Sequence, residues 1–129
     1  MVVRIYPQPG NSKMKSIYGF ESIFIHRAPV DMRKSINGLS VIVATEMKLD
    51  LKLSTLFIFS NKPRTHLKIL YFDRSGFALW LKKLESAKFP WPRIDEAEVI
   101  SIAAQDLEFI LEGVNIWSRF KEVSFENII

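Results

Sequence analysis

From Ser22 onward the chain alternates between short runs of branched and aromatic residues and longer stretches whose apolar positions recur at helical spacing. The first run, SIFIH at 22–26, reads as a strand that ends before Ala28 and Pro29. In DMRKSINGLSVIVATEMKLD, Ile36, Leu39, Val43 and Met47 follow Met32 at offsets of 4, 7, 11 and 15, which is one face of a 3.6-residue helix. Asp31 is a suitable N-cap and Pro29 keeps the chain extended up to it, so the pattern predicts a helix beginning at Asp31. Gly38 within it costs about 1 kcal/mol relative to Ala, which points to close packing at that position.

Three β-rich runs follow, LFIFS, THLKILYF and FALWLKKL, separated by residues 61–64 with Pro63 and by DRSG at 73–76. Strands joined by such short turns pair antiparallel. In the second run Leu67, Ile69 and Tyr71 share one face while Lys68, Leu70 and Phe72 share the other. Apolar residues on both faces require cover on both sides. After the corner at Pro90, Trp91 and Pro92, an acidic linker leads to a short strand at Val99 to Ile102 and a helix from Ala104 to Glu112. Leu107, Ile110, Leu111 and Val114 form its apolar stripe, Asp106, Glu108 and Glu112 point elsewhere, and Gly113 ends it.

Residues 1–15 contain two prolines, a glycine and no sustained period, and are expected to be a flexible or loosely docked arm. Residues 16–129 are expected to be one domain, although 115–129 keep Trp117, Phe120 and Phe125 without a clear period. The expected fold is α+β: an antiparallel meander sheet of four to five strands, one long helix packed on a face, and a shorter C-terminal helix.

Charge sharpens this picture, because the net +4 is unevenly spread. Residues 27–93 carry thirteen basic and five acidic side chains, a balance of +8, whereas residues 94–129 carry two and eight, a balance of −6. A central block that basic suits a polyanion, and an acidic tail suits a different surface. Two sets of cations stand out. Arg33 and Lys34 lie where the predicted helix dipole is positive, so backbone N–H groups and two cations would together bind an anion such as a phosphate. Lys62, Arg64, His66 and Lys68, with Lys82, Lys83 and Lys88 on or after the next strand, form a stripe if the strand begins early enough to align Arg64, His66 and Lys68. The interleaved Tyr71, Phe72, Trp80 and Phe89 either stack on bases or fill the core, and the core is the default for rings in strands.

The remaining composition removes most catalytic chemistries. The chain has no cysteine, which excludes thiolate nucleophiles and thiolate metal sites, and its two histidines lack metal-ligand spacing. The carboxylates of the basic block are Asp31, Glu46, Asp50, Asp73 and Glu85; Asp31 has a role as a cap and Asp73 as a turn former. GxxxxGK[ST], GxSxG and GxGxxG are all missing. The longest apolar runs, Val41 to Ala44 and Leu56 to Phe59, fall far short of the roughly 20 residues of a membrane helix. With no charged segment preceding an apolar core at the N-terminus, the expectation is a cytoplasmic protein with no catalytic residues, cofactor or metal.

Taken in order, VDMRKSINGL, LFIF, LKILYFDRSGFALWLKKLE, F-x-WP and LEFILEG resemble a family of small accessory proteins from the insertion sequence 66 group of bacterial transposable elements. That family is called TnpB there and is distinct from the RNA-guided nuclease of the same name. The resemblance covers about Ser22 to Trp117. It implies a non-catalytic protein encoded beside a separate DDE-type transposase and needed for the element to transpose. The family's DMRK falls on Asp31, Met32, Arg33 and Lys34, and its K-x-L-[WY]-[WF]-D on Lys68, Leu70, Tyr71, Phe72 and Asp73. Its turn glycine is Gly76 and its basic Leu-Glu run is Lys82 to Glu85. Many relatives are Arg-rich where this chain has Ser60, Asn61, Thr65 and His66, which thins the charge at that turn. Ala103 stands where relatives place a Ser or Thr cap, which predicts a last helix that frays or begins elsewhere.

Together these readings predict a protein that binds the phosphate backbone of element DNA through Arg33, Lys34, Lys62, Arg64, Lys68, Arg74, Lys82 and Lys83. The acidic helix and tail would engage the transposase or another copy of the chain, with Trp80 and Trp91 as candidate partner-binding rings. The alternative is a protein–protein adaptor that binds the transposase without contacting DNA.

Overall fold

A computed structural model describes residues 6–7, 17–51, 54–73, 76–93 and 97–117. Its elements in chain order are β1 (Tyr6–Pro7), a single 3-10 turn at Ile17–Gly19, β2 (Ser22–His26), α1 (Ile36–Thr45), β3 (Thr55–Ser60), β4 (His66–Asp73), β5 (Gly76–Lys83), β6 (Val99–Ile102) and α2 (Ala104–Leu111). The strands form one sheet in the order β1-β5-β4-β3-β2-β6, in which β1 contributes only two residues against β5. Most of the N-terminal arm, and all of 118–129 with Phe120 and Phe125, lies outside the described residues.

The sheet is mixed, which corrects the all-antiparallel expectation. The meander β3-β4-β5 is present, with Ile58 opposite Ile69 and Ile69 opposite Trp80. β2, however, pairs parallel to β3, from Ser22 opposite Thr55 to Ile25 opposite Ile58. The cause is the intervening helix, because a crossover lets two consecutive strands run in the same direction where a hairpin cannot. β6 then adds antiparallel to the free side of β2.

The helix itself is shorter than its pattern. It spans ten residues with Ser35 as N-cap, so Asp31 does not start it. The Asp31 carboxylate instead accepts from the backbone N–H of Arg33 at 2.8 Å and from the Arg33 guanidinium at 2.6 Å, and the Lys34 N–H closes onto the Asp31 carbonyl at 3.0 Å. The Met32 carbonyl, which a continuous helix would offer to Ile36, receives the Lys68 ammonium at 2.8 Å. A side chain from the sheet has thus replaced the first helical turn. Met32 leaves the apolar face accordingly, while Met47 stays buried just past the helix end. At Gly38 an added Cβ would meet the Lys34 side chain at 3.3 Å, so the close packing is with the preceding turn and not with another element.

Both faces of the sheet are covered, as the double-sided pattern requires. Ile23, Ile25, Leu56, Ile58, Leu67, Ile69 and Tyr71 pack on the side of α2, together with Leu84, Phe89, Trp91 and Ile116. Phe57, Phe59, Leu70 and Leu79 pack on the side of α1, against Leu39, Ile42 and Val43. Each such side chain stabilises the fold by about 1.5 to 3 kcal/mol on burial. α2 begins at Ala104 despite its alanine cap, because the Asp106 carboxylate accepts the Ala103 N–H at 3.0 Å. Gly113, at φ 86, ends it as expected, and the Val114 of its predicted stripe is exposed. Among the described residues no helix is long and apolar enough to cross a membrane.

Candidate nucleic-acid interface

β2 and β3 end, and β4 begins, at one end of the sheet, and the basic block collects there. The 61–65 turn carries Lys62 and Arg64 between β3 and β4. Lys83 lies opposite His66 at the same end. The 84–93 segment, with Lys88, folds back on that turn through Leu84 N–H to the Thr65 carbonyl at 2.8 Å and Phe89 N–H to the Arg64 carbonyl at 2.7 Å. Arg27 follows β2 directly, and Val30 N–H donates to the Ser60 carbonyl at 2.9 Å, which brings Arg33 and Lys34 to the same end. Arg74 lies outside the described residues; its neighbours Asp73 and Gly76 pair at the far end of the sheet.

Two predicted DNA contacts are internal. Lys68 is 9% exposed, and its ammonium donates to the carbonyls of Met32 at 2.8 Å and Lys34 at 2.7 Å. Lys82 is 1% exposed, donates to the Leu111 carbonyl at the end of α2, and stands 5.7 Å from the Phe89 ring centroid. Burial holds both below the ordinary lysine range, Lys82 at about 8. A cation at a helix C-terminus meets the negative end of the dipole, so Lys82 is well placed to hold α2 to the sheet. The proposed stripe of Arg64, His66 and Lys68 does not form, because β4 begins only at His66 and Arg64 sits in the turn at φ 64. His66 lies against Asn61 and Thr65, and burial and then Lys83 lower its pKa, so it adds no charge at neutral pH.

The surface at this end includes Lys34, Lys62, Lys83 and Lys88, all exposed and none in an ion pair with a described carboxylate. Arg33 is exposed as well, but its guanidinium is paired with Asp31 and holds that carboxyl down at about 2. Sequence reasoning counted Arg27 in the basic block but did not single it out; its Nε donates to the Ala97 carbonyl at 3.3 Å. No local pattern could have marked it, since the partners that fix it come from 70 residues away along the chain.

The rings belong to the fold. Tyr71 meets Phe20 edge to face at 5.3 Å inside the α2-side core, and Phe72 meets Phe77 at 5.0 Å. Neither nominated partner-binding tryptophan presents an exposed ring: Trp91 is buried with its indole N–H on the Arg27 carbonyl at 2.8 Å, and Trp80 is half-buried against the α2-side core. Among the described residues the exposed large hydrophobic side chains are Tyr18, Val41 and Val114; Tyr18 donates to Glu108 on α2, near the acidic Asp106 and Glu112. Among the described residues no group of three carboxylates or histidines could hold a metal ion.

The chain's residues 21–121 match the family described as IS66 Orf2 like protein. It is similar to y4jC of Sinorhizobium fredii, 30% identical over 99 residues that cover 77% of this chain and 83% of that protein. It is also similar to y4hO of the same organism, 29% identical over 100 residues covering 78% and 85%. No solved structure matches it.

Proposed function

The chain belongs to the IS66 Orf2-like family, accessory proteins of insertion-sequence transposition, and we propose that it serves that role without catalysis by binding DNA phosphates at the basic end of its sheet. The observation that carries this reading is the set of exposed cations Lys34, Lys62, Lys83 and Lys88 at that end, none paired with a described carboxylate. Such a surface releases condensed counterions from a duplex and contacts its backbone. The separate transposase breaks and joins the DNA, while the acidic side of α2, with Tyr18 and Val114, faces a protein partner.

A binding titration on duplexes from the ends of the element, at several salt concentrations and with and without the transposase, tests the reading. Affinity should fall steeply with salt, by a slope of about 0.9 in log K per phosphate contacted. Binding that requires the transposase and ignores salt would favour the adaptor, in which this chain meets protein only.

A further inference from the structure

One indole carries the Arg64 guanidinium on its ring and holds the backbone of Arg27 through its N–H at the basic end. The Arg64 guanidinium carbon lies 5.4 Å from the centroid of the Trp91 ring, and the Trp91 N–H donates to the Arg27 carbonyl at 2.8 Å. Both arginines are fixed by their backbones as well: Arg27 N–H donates to Glu98 at 2.8 Å, and the Arg64 carbonyl accepts from Phe89 at 2.7 Å. Neither is in an ion pair with a described carboxylate. Nη1 of Arg64 is buried and has no hydrogen-bond partner among the described residues. The backbone of Arg64 is left-handed at φ 64, a conformation that costs energy for any residue but glycine and persists where its surroundings impose it.

Two neighbouring cations with no counter-charge among the described residues, one carrying a buried donor with no described partner, are unfavourable unless something else joins them. The charge of Arg27 and, more strongly, burial already lower the affinity of Arg64 for its proton. Arg64 is only half-buried, so it remains reachable from solvent.

We infer that Arg64, stacked on Trp91, and Arg27, whose backbone Trp91 holds, form a site for a single oxyanion, and that its occupant in the working protein is one phosphodiester of the bound DNA. The anion supplies the acceptor and the negative charge that no described residue gives these guanidinium groups, and a planar guanidinium fork suits two oxygens of one phosphate. The identity of the occupant rests on the DNA-binding reading above; the anion site rests on its own geometry.

The test follows the side-chain N–H resonances of Arg27 and Arg64 and the indole N–H of Trp91 by NMR in the full-length chain. Inorganic phosphate should shift all three saturably, and chloride at matched ionic strength should not. Arg64→Gly removes the guanidinium while suiting the left-handed backbone, so the spectrum should keep its native dispersion and lose the saturable response at Arg27 and Trp91. Arg27→Lys keeps the charge but not the fork, and should weaken the phosphate response. Equal, linear shifts with phosphate and chloride, or a response that survives Arg64→Gly, would overturn the site.

A duplex supplies the second arm. It should move the same resonances, and Arg64→Gly should weaken its binding about tenfold, with the salt slope shallower by about 1. A duplex that binds undiminished while these resonances stay still overturns the proposal and leaves the DNA reading standing. Saturable phosphate binding with no duplex binding at all would end the DNA reading and the phosphodiester assignment, and would leave the anion site.

Discussion

Lys82 and Lys83 are consecutive on β5, yet they belong to different regions of the molecule. Lys82 points into the α2-side core, 1% exposed, and donates to the Leu111 carbonyl. Lys83 stands exposed on the rim, across from His66 and with no described carboxylate in an ion pair. Lys68, on the neighbouring strand, repeats the inner arrangement on the opposite face, where it holds the carbonyls of Met32 and Lys34 ahead of α1. Each face of the sheet is therefore tied by one lysine to the segment that covers it, while Lys62, Lys83 and Lys88 at the end of the sheet meet solvent. The difference lies in strand geometry: successive side chains alternate between faces, so adjacent positions of like charge can hold opposite duties.

Substitution at the paired sites sharpens the comparison. Lys82→Ala should cost about 3 kcal/mol in a urea-unfolding experiment, because it leaves a cavity and an unmet Leu111 carbonyl. Lys83→Ala should lie within about 0.5 kcal/mol of the parent chain. Equal losses at the two positions would break the distinction between interior and rim. Lys68→Ala should cost about 2 kcal/mol and speed amide hydrogen exchange at Lys34, whose N–H closes the turn that Lys68 braces. Exchange unchanged from the parent would mean that Asp31 alone holds that turn.

Rim substitutions should reverse the order. Lys62→Ala and Lys83→Ala should each weaken duplex binding by about 1 kcal/mol on any sequence and reduce the salt slope by about 1, with thermal stability unmoved. Losses confined to one sequence would mean base readout and not backbone contact.

Much of the inner region was legible. The strands β3, β4 and β5, the assignment of Leu67, Ile69 and Tyr71 to one face, and the need for cover on both faces follow from alternation alone. The direction of β2 was legible in principle, because a strand, a helix and a strand in sequence allow a parallel pair. The helix start was not. Asp31 has the chemistry of a cap, and only the Lys68 ammonium, arriving from 36 residues away, decides that the first turn is not helical. The candidate site suffered for the same reason. Composition gives a lysine's charge but not its depth, so Lys62, Lys68, Lys82 and Lys83 looked alike in sequence while two of them serve the fold. Arg27 counted toward the basic block but could not be singled out, because Trp91 and Ala97, which fix it, are distant along the chain.

The finest mark of the interior lies in the titration of Lys82. The Lys82 ammonium is held at about 8 in the folded chain by burial, with the Glu112 carboxylate acting weakly in the other direction, against an ordinary value near 10.5. Below pH 8 both folded and unfolded chains hold the proton, so the site confers no pH dependence. Between about 8 and 10.5 the unfolded chain binds more protons than the folded one, and stability must therefore rise with pH across that window. The neutral amine can still donate to the Leu111 carbonyl, so the tie to α2 survives deprotonation. Lys82→Met removes the titrating group and leaves Tyr18 and the exposed lysines as they are, which makes it the reference for every other ionisation in the range. Urea midpoints measured from pH 7 to 10.5 should show the parent chain gaining on Lys82→Met as pH rises. A parent curve parallel to that of Lys82→Met would place the Lys82 ammonium in water, and the interior and the rim would then differ in name only.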